Sequence, residues 1–152
     1  MSNNLKLINF KEVIGHKDLK ELYVSDGQIT TAIRDQDNFD ILDLKGCVIS
    51  PGFIDPQVNG LNSCNFWDLK EEDFNEIDKL RLDLARSGVV AFCPTVITNS
   101  KEKIFNSIDL INKYIKESEN KPGAKILGIH IEGIFISRYG VHEEKHSIKE
   151  LG

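Results

Sequence analysis

The sequence predicts an α/β fold in two parts: part of a small β-sandwich over residues 1–50, then a run of parallel β/α units over residues 51–152. Three observations predict it. The first third of the chain is rich in Leu, Ile, Val and Thr and shows no helical period. From Pro51 onward, apolar strand-like runs alternate with amphipathic helical segments, the pattern of parallel β/α units. A chain of 152 residues, 40% hydrophobic and 28% charged, is long enough and apolar enough to bury one sizeable core.

In the first part, "KLINF" and "ELYVSDGQITTAI" read as strands, and Asp26-Gly27 between two apolar runs predicts a tight hairpin. "FDILDLKGCVIS" continues in the same style. The second part opens on "GFIDPQVNG", a strand. "LKEEDFNEIDKLRLDLARSG" is a helix, with Asp68 and Glu71 as a capping box, Phe74, Ile77, Leu80 and Leu84 along one face, and Gly88 as its stop. "VVAFCPTVIT" is the second strand. "NSKEKIFNSIDLINKYIKES" is a second helix, capped by Asn99 with Glu102 and burying Ile104, Ile108, Ile111 and Ile115. "AKILGIHIEGIF" is the third strand. Three such units fit the start of a TIM-type (β/α)8 barrel, a fold that takes roughly 250 residues. A small open α/β sheet is the alternative, and it leaves the β-rich first third without a role.

Composition narrows the function. The net charge of −5 and scattered Lys and Arg argue against nucleic acid as a partner. No apolar run approaches the ~20 residues of a membrane span. "MSNNLKLINFKEV" lacks the apolar core of a signal peptide, so a cytoplasmic location is expected. Cys47, Cys64 and Cys93 are odd in number and far apart, which fits reduced, buried thiols better than a disulfide framework or a metal knuckle.

The candidate chemistry lies at the strand ends. In "ILGIHIEG", period-two alternation puts His130 and Glu132 on one face and Ile129 and Ile131 on the other. A His and a carboxylate so spaced at a strand's C-terminal end can reach one metal ion; the plainer reading is a hydrogen-bonded core histidine and a Glu at the strand exit. Asp55, Gln57 and Asn59 share a face by the same rule. Neutral amides bring no charge to a divalent cation and suit a substrate or a water better. "HEEKH", His142 to His146, matches the helical zinc motif H-E-x-x-H of metalloproteases. The charged Glu144 and Lys145 suit a solvated helix instead, and no third ligand follows, so a protease is a remote alternative.

"PGFID" followed by Gln57-x-Asn59-Gly60, then "CPTVITNS", "GIHIEG" and "HIEGIF…GVH", resemble the amidohydrolase superfamily. Most of its members carry H-x-H after the first motif. The Gln-x-Asn pair is similar to the N-acetylglucosamine-6-phosphate deacetylases in their single-metal form. The resemblance spans nearly the whole chain, in order, but only the N-terminal part of such an enzyme. It implies that Glu132 is a metal ligand, that His142, with Val141 beside it, contacts the sugar, and that Gln57, Asn59 and His130 line the pocket. It also implies one divalent metal, zinc, in the complete enzyme, a small-molecule amino-sugar phosphate as partner, no membrane, and a homodimer. The implied reaction is hydrolysis of the acetamide of N-acetylglucosamine 6-phosphate to glucosamine 6-phosphate and acetate, by a metal-activated water, in amino-sugar catabolism. No catalytic residue of the family maps onto these residues, so this truncated version is expected to be inactive alone. Ile134 stands where the family usually has Pro, which loosens the loop after the third strand. The competing class is a non-enzymatic remnant or interaction module.

Overall fold

Residues 4–25, 27–30, 39–61 and 63–133 are described by the computed structural model. They fall into two units, divided between Pro51 and Gly52.

The first unit holds β1 (Leu5–Ile8), β2 (Glu12–Val13), β3 (Leu22–Ser25), β4 (Gln28–Thr30), β5 (Asp40–Asp43) and β6 (Val48–Ile49). Four of them form a sheet in the order β4-β3-β1-β5, and β2 pairs with β6. β3 and β4 run antiparallel with Ser25 opposite Gln28, the hairpin expected at this point, although Asp26 itself lies outside the described residues. Gly27 adopts φ +72, which the tight turn obtains cheaply from glycine. β5 joins β1 in parallel, so the sheet is mixed. Its core is thin. Leu22 and Tyr23 are buried, whereas Ile29, Ile41, Leu42 and Val48 are exposed. Polar contacts add to the sheet: the Tyr23 hydroxyl donates to Glu21 at 2.6 Å, and Lys6 pairs with the same carboxylate at 2.8 Å.

The second unit is built on β7 (Phe53–Val58), α1 (Phe74–Arg86), β10 (Val89–Val96), α2 (Lys101–Glu117), β11 (Lys125–Ile126) and β12 (His130–Ile131), with a small hairpin of β8 (Gly60–Leu61) and β9 (Cys64–Asn65) after the first strand. β10 is central. β7 lies on one side of it, β11 and β12 on the other, and every pairing is parallel. The core joins Phe92 and Val96 of β10 to Ile77 and Leu80 of α1 and to Ile104, Ile111 and Tyr114 of α2. Ile108 and Ile115 pack against its rim, while Ser107 and Tyr114, outside the expected isoleucine stripe, are fully buried.

Local details depart from the sequence reading. The third strand is interrupted: Phe92 is opposite Ile126, Thr95 is opposite His130, and the register slips by one residue in between. Leu127 N donates to Phe92 O and Glu132 N to Val96 O, so alternation turns Pro94 toward the same neighbour. Proline has no N–H to give, and the gap in the ladder falls opposite it. The slip separates the two isoleucines expected to match: Ile129 packs against the core and Ile131 is exposed.

The helix caps also differ. Two short 3-10 turns, Phe66–Asp68 and Glu71–Asp73, precede α1, and Lys70 N donates to the Asp73 carboxylate at 2.9 Å. Asp68 and Glu71 form no box and instead pair with Lys103 and Lys113 of α2. At α2 the cap is Ser100, whose Oγ accepts from Lys103 N at 3.4 Å. Asn99 is drawn away, its amide donating to Trp67 O at 3.1 Å. Gly88 does end α1, at φ +86. Of the three free thiols, Cys64 is buried, Cys93 half-buried and Cys47 exposed, which corrects the expectation that all are buried.

A buried arginine ties the helices to the third strand. Arg81 of α1 donates through Nε to Ala124 O at 2.9 Å, and through its two terminal nitrogens to Tyr114 Oη at 3.2 Å and Lys121 O at 3.1 Å. Tyr114 donates in turn to Asp78 at 2.6 Å, and Lys121 pairs with Asp78 at 2.7 Å. Among the described residues no helix is long and apolar enough to cross a membrane.

Candidate active site at the strand ends

Gln57 and Glu132 are 75 residues apart in sequence, yet Gln57 Nε2 donates to Glu132 Oε2 at 2.9 Å. They stand at the ends of the strands that flank β10. Neighbouring strands are ~4.8 Å apart, so the two backbones are separated by roughly twice that. Two long side chains bridge such a gap only by reaching over the same face of the central strand.

The Glu132 backbone is fixed on the other side. Its N–H donates to Val96 O at 2.9 Å. The next residue, Gly133, turns the chain at φ +68, and its carbonyl accepts the Thr98 hydroxyl. Thr98 was not singled out in the sequence. Its signal was its place at the end of the second strand, inside "CPTVITNS", where a hydroxyl can tie down the neighbouring strand's exit.

β7 is irregular where it delivers Gln57. Asp55 is opposite Phe92 and Val58 opposite Pro94, so β7 carries one residue more than β10 over this stretch, a bulge. Asp55 Oδ1 bends back to accept Gln57 N at 3.0 Å. The expected common face of Asp55, Gln57 and Asn59 is therefore broken. Gln57 reaches Glu132, Asp55 braces the Gln57 backbone, and the main-chain carbonyl of the exposed Asn59 accepts Phe66 N at 3.3 Å.

His130 sits opposite Thr95. Its Nδ1 is buried without a hydrogen-bond partner among the described residues. A histidine serving only the core would be expected to have that nitrogen paired. Val141, His142, Ile134 and the HEEKH segment lie outside the described residues. Among the described residues, no group of three or more His, Cys, Asp or Glu side chains is placed to hold a metal ion. Glu132 fits the part of one anionic ligand, but a catalytic zinc site takes three protein ligands. The described residues alone do not make a metal centre.

No protein-family model matches the chain. Curated relatives do. The chain is 35% identical over 106 residues to N-acetylglucosamine-6-phosphate deacetylase of Bos taurus, covering 68% of this chain and 25% of that protein. It is 38% identical over 115 residues to the Caenorhabditis elegans enzyme of that name, covering 72% and 27%. For the Haemophilus influenzae one the figures are 30% over 141 residues, 91% and 34%.

This chain is a homologue of the N-acetylglucosamine-6-phosphate deacetylases.

It spans about a quarter to a third of the length of these deacetylases, consistent with an N-terminal portion. Solved deacetylase structures show the same fold. That from Pasteurella multocida superposes with a TM-score of 0.71 at 23% identity, over 98% of this chain and 38% of its own. A Mycobacterium smegmatis deacetylase mutant, solved in complex with N-acetyl-D-glucosamine-6-phosphate, superposes with a TM-score of 0.63 at 18% identity, over 90% and 34%.

Proposed function

We propose that this chain provides the first three β/α units of a (β/α)8 barrel, with residues 1–50 as part of the accompanying β-sandwich, in a cytoplasmic, homodimeric enzyme. That enzyme hydrolyses the acetamide of N-acetylglucosamine 6-phosphate to glucosamine 6-phosphate and acetate. The observation that carries the reading is the Gln57–Glu132 contact at the ends of parallel strands. It sets one carboxylate beside Gln57, which with Asn59 stands in place of the H-x-H histidines of most members of the superfamily, and the homologues are deacetylases of this sugar phosphate.

Glu132 contributes an anionic ligand, presented from a strand exit held by Val96 and Thr98. A divalent metal, zinc, supplies Lewis-acid activation of water when bound. The further ligands and the general acid/base come from outside the described residues. Gln57, Asn59 and His130 line the pocket, and His142, with Val141 beside it, contacts the sugar.

The test is acetate release from N-acetylglucosamine 6-phosphate by the protein expressed from its complete reading frame. Glu132→Gln reduces release to background, because an amide lacks the charge that holds the cation. Residues 1–152 alone give no turnover. Acetate release by those residues alone, lost on Glu132→Gln, would overturn this division of labour.

A further inference from the structure

We infer that Gln57 is a positioning residue for Glu132: its amide N–H holds one carboxylate oxygen so that the other is presented to a cation. This rests on the deacetylase reading for the identity of the cation site, and on the geometry for the contact itself. Gln57 Nε2 lies 2.9 Å from Glu132 Oε2, so Oε1 is the less encumbered of the two oxygens for a metal. An amide suits this task. It donates a hydrogen bond without adding positive charge, so the carboxylate keeps its full attraction for a divalent ion. Partners that orient a metal ligand in this way are worth 10–100-fold in affinity or activity when removed.

The support continues behind the amide. Asp55 Oδ1 accepts Gln57 N at 3.0 Å within the β7 bulge, which fixes the backbone from which the side chain extends. Asp55 thus braces Gln57 and Gln57 braces Glu132, while Val96 holds the Glu132 backbone from the central strand. The extra residue in β7 fits this role, since bulges re-aim a side chain next to functional sites. Gln57 acts on the metal through its ligand and need not touch substrate.

The experiment compares wild type and Gln57→Leu in the protein expressed from its complete reading frame, with Co(II) as the probe ion. The variant keeps the bulk and loses the donor. Co(II) affinity falls about 10- to 100-fold, the visible Co(II) spectrum changes, and at saturating metal kcat falls more than KM rises. A raised KM with unchanged affinity and spectrum would instead make Gln57 a substrate contact and overturn the inference. Affinity that falls in the variant while the wild type releases no acetate would leave Gln57's role standing and remove the deacetylase reading. Acetate release with affinity unchanged in the variant would do the reverse, and a wild type that binds no ion would overturn both. A second measurement needs neither metal nor turnover. In the 152-residue chain, the side-chain amide NMR resonances of Gln57 shift on Glu132→Ala; resonances that do not move would overturn the contact itself.

Discussion

Tyr114→Phe deletes one oxygen from the buried network between α1, α2 and the start of β11. The ring is fully buried and stays packed edge-on against Phe74, 5.2 Å between centroids. The lost hydroxyl donates to Asp78 at 2.6 Å and accepts from Arg81 at 3.2 Å. Hydrogen bonds to charged groups contribute about 1.5–3 kcal/mol each. The loss is partial, because Asp78 keeps Lys121 at 2.7 Å and Arg81 keeps the carbonyls of Ala124 and Lys121. The expected destabilisation of the second unit is therefore about 2 kcal/mol. At a urea slope of about 2 kcal/mol per molar, the midpoint falls by about 1 M with the slope unchanged. The single tryptophan, Trp67, reports on this unit by fluorescence. Alkali gives a second readout. Burial, then the bond to Asp78, pushes the Tyr114 hydroxyl from 10.0 up to about 12. A raised pKa contributes stability that is complete below the unfolded value and is lost as pH rises through the folded one. The wild type thus loses this contribution between pH 10 and about 12, and the variant lacks that loss. A midpoint shift under about 0.3 M, or an identical alkaline loss in the variant, would refute the network's role.

Gly123→Ala destabilises the same region by about 2–3 kcal/mol: φ is +117, and the added Cβ would lie 2.8 Å from Arg81 Cβ. A urea midpoint equal to wild type would contradict it. Under native conditions a thiol reagent modifies the exposed Cys47 and spares Cys64, which is fully buried and whose thiol is pushed up to about 12 by burial, with Asp73 and Glu76 adding to the effect. Equal labelling of the two by mass spectrometry would contradict the placement of Cys64.

Strand and helix order in the second unit was legible because the apolar periods of "FNEIDKLRLDLAR" and "IFNSIDLINKYI" are unambiguous and Gly88 supplies a stop. The caps were not, because Asp68 and Asn99 each found a tertiary partner, Lys103 and Trp67 O, that outcompeted the local one. The broken third strand was hidden for a similar reason. Its cause, Pro94, lies on a different strand, and the register slip it brings cannot be seen in "ILGIHIEG". At the site, alternation placed Gln57 and Glu132 at strand ends, but nothing local indicated that they meet, since that contact depends on both flanking β10. The same alternation misplaced Asp55, because a bulge changes the period that the argument assumes.

The measurement that tests the central claim most directly is a crystal structure of the protein expressed from its complete reading frame, loaded with zinc. The account predicts Glu132 on the ion through one oxygen, with Gln57 Nε2 on the other at the hydrogen-bond distance seen here. An ion bound without Glu132, or a Gln57 amide turned away from the carboxylate, would contradict it.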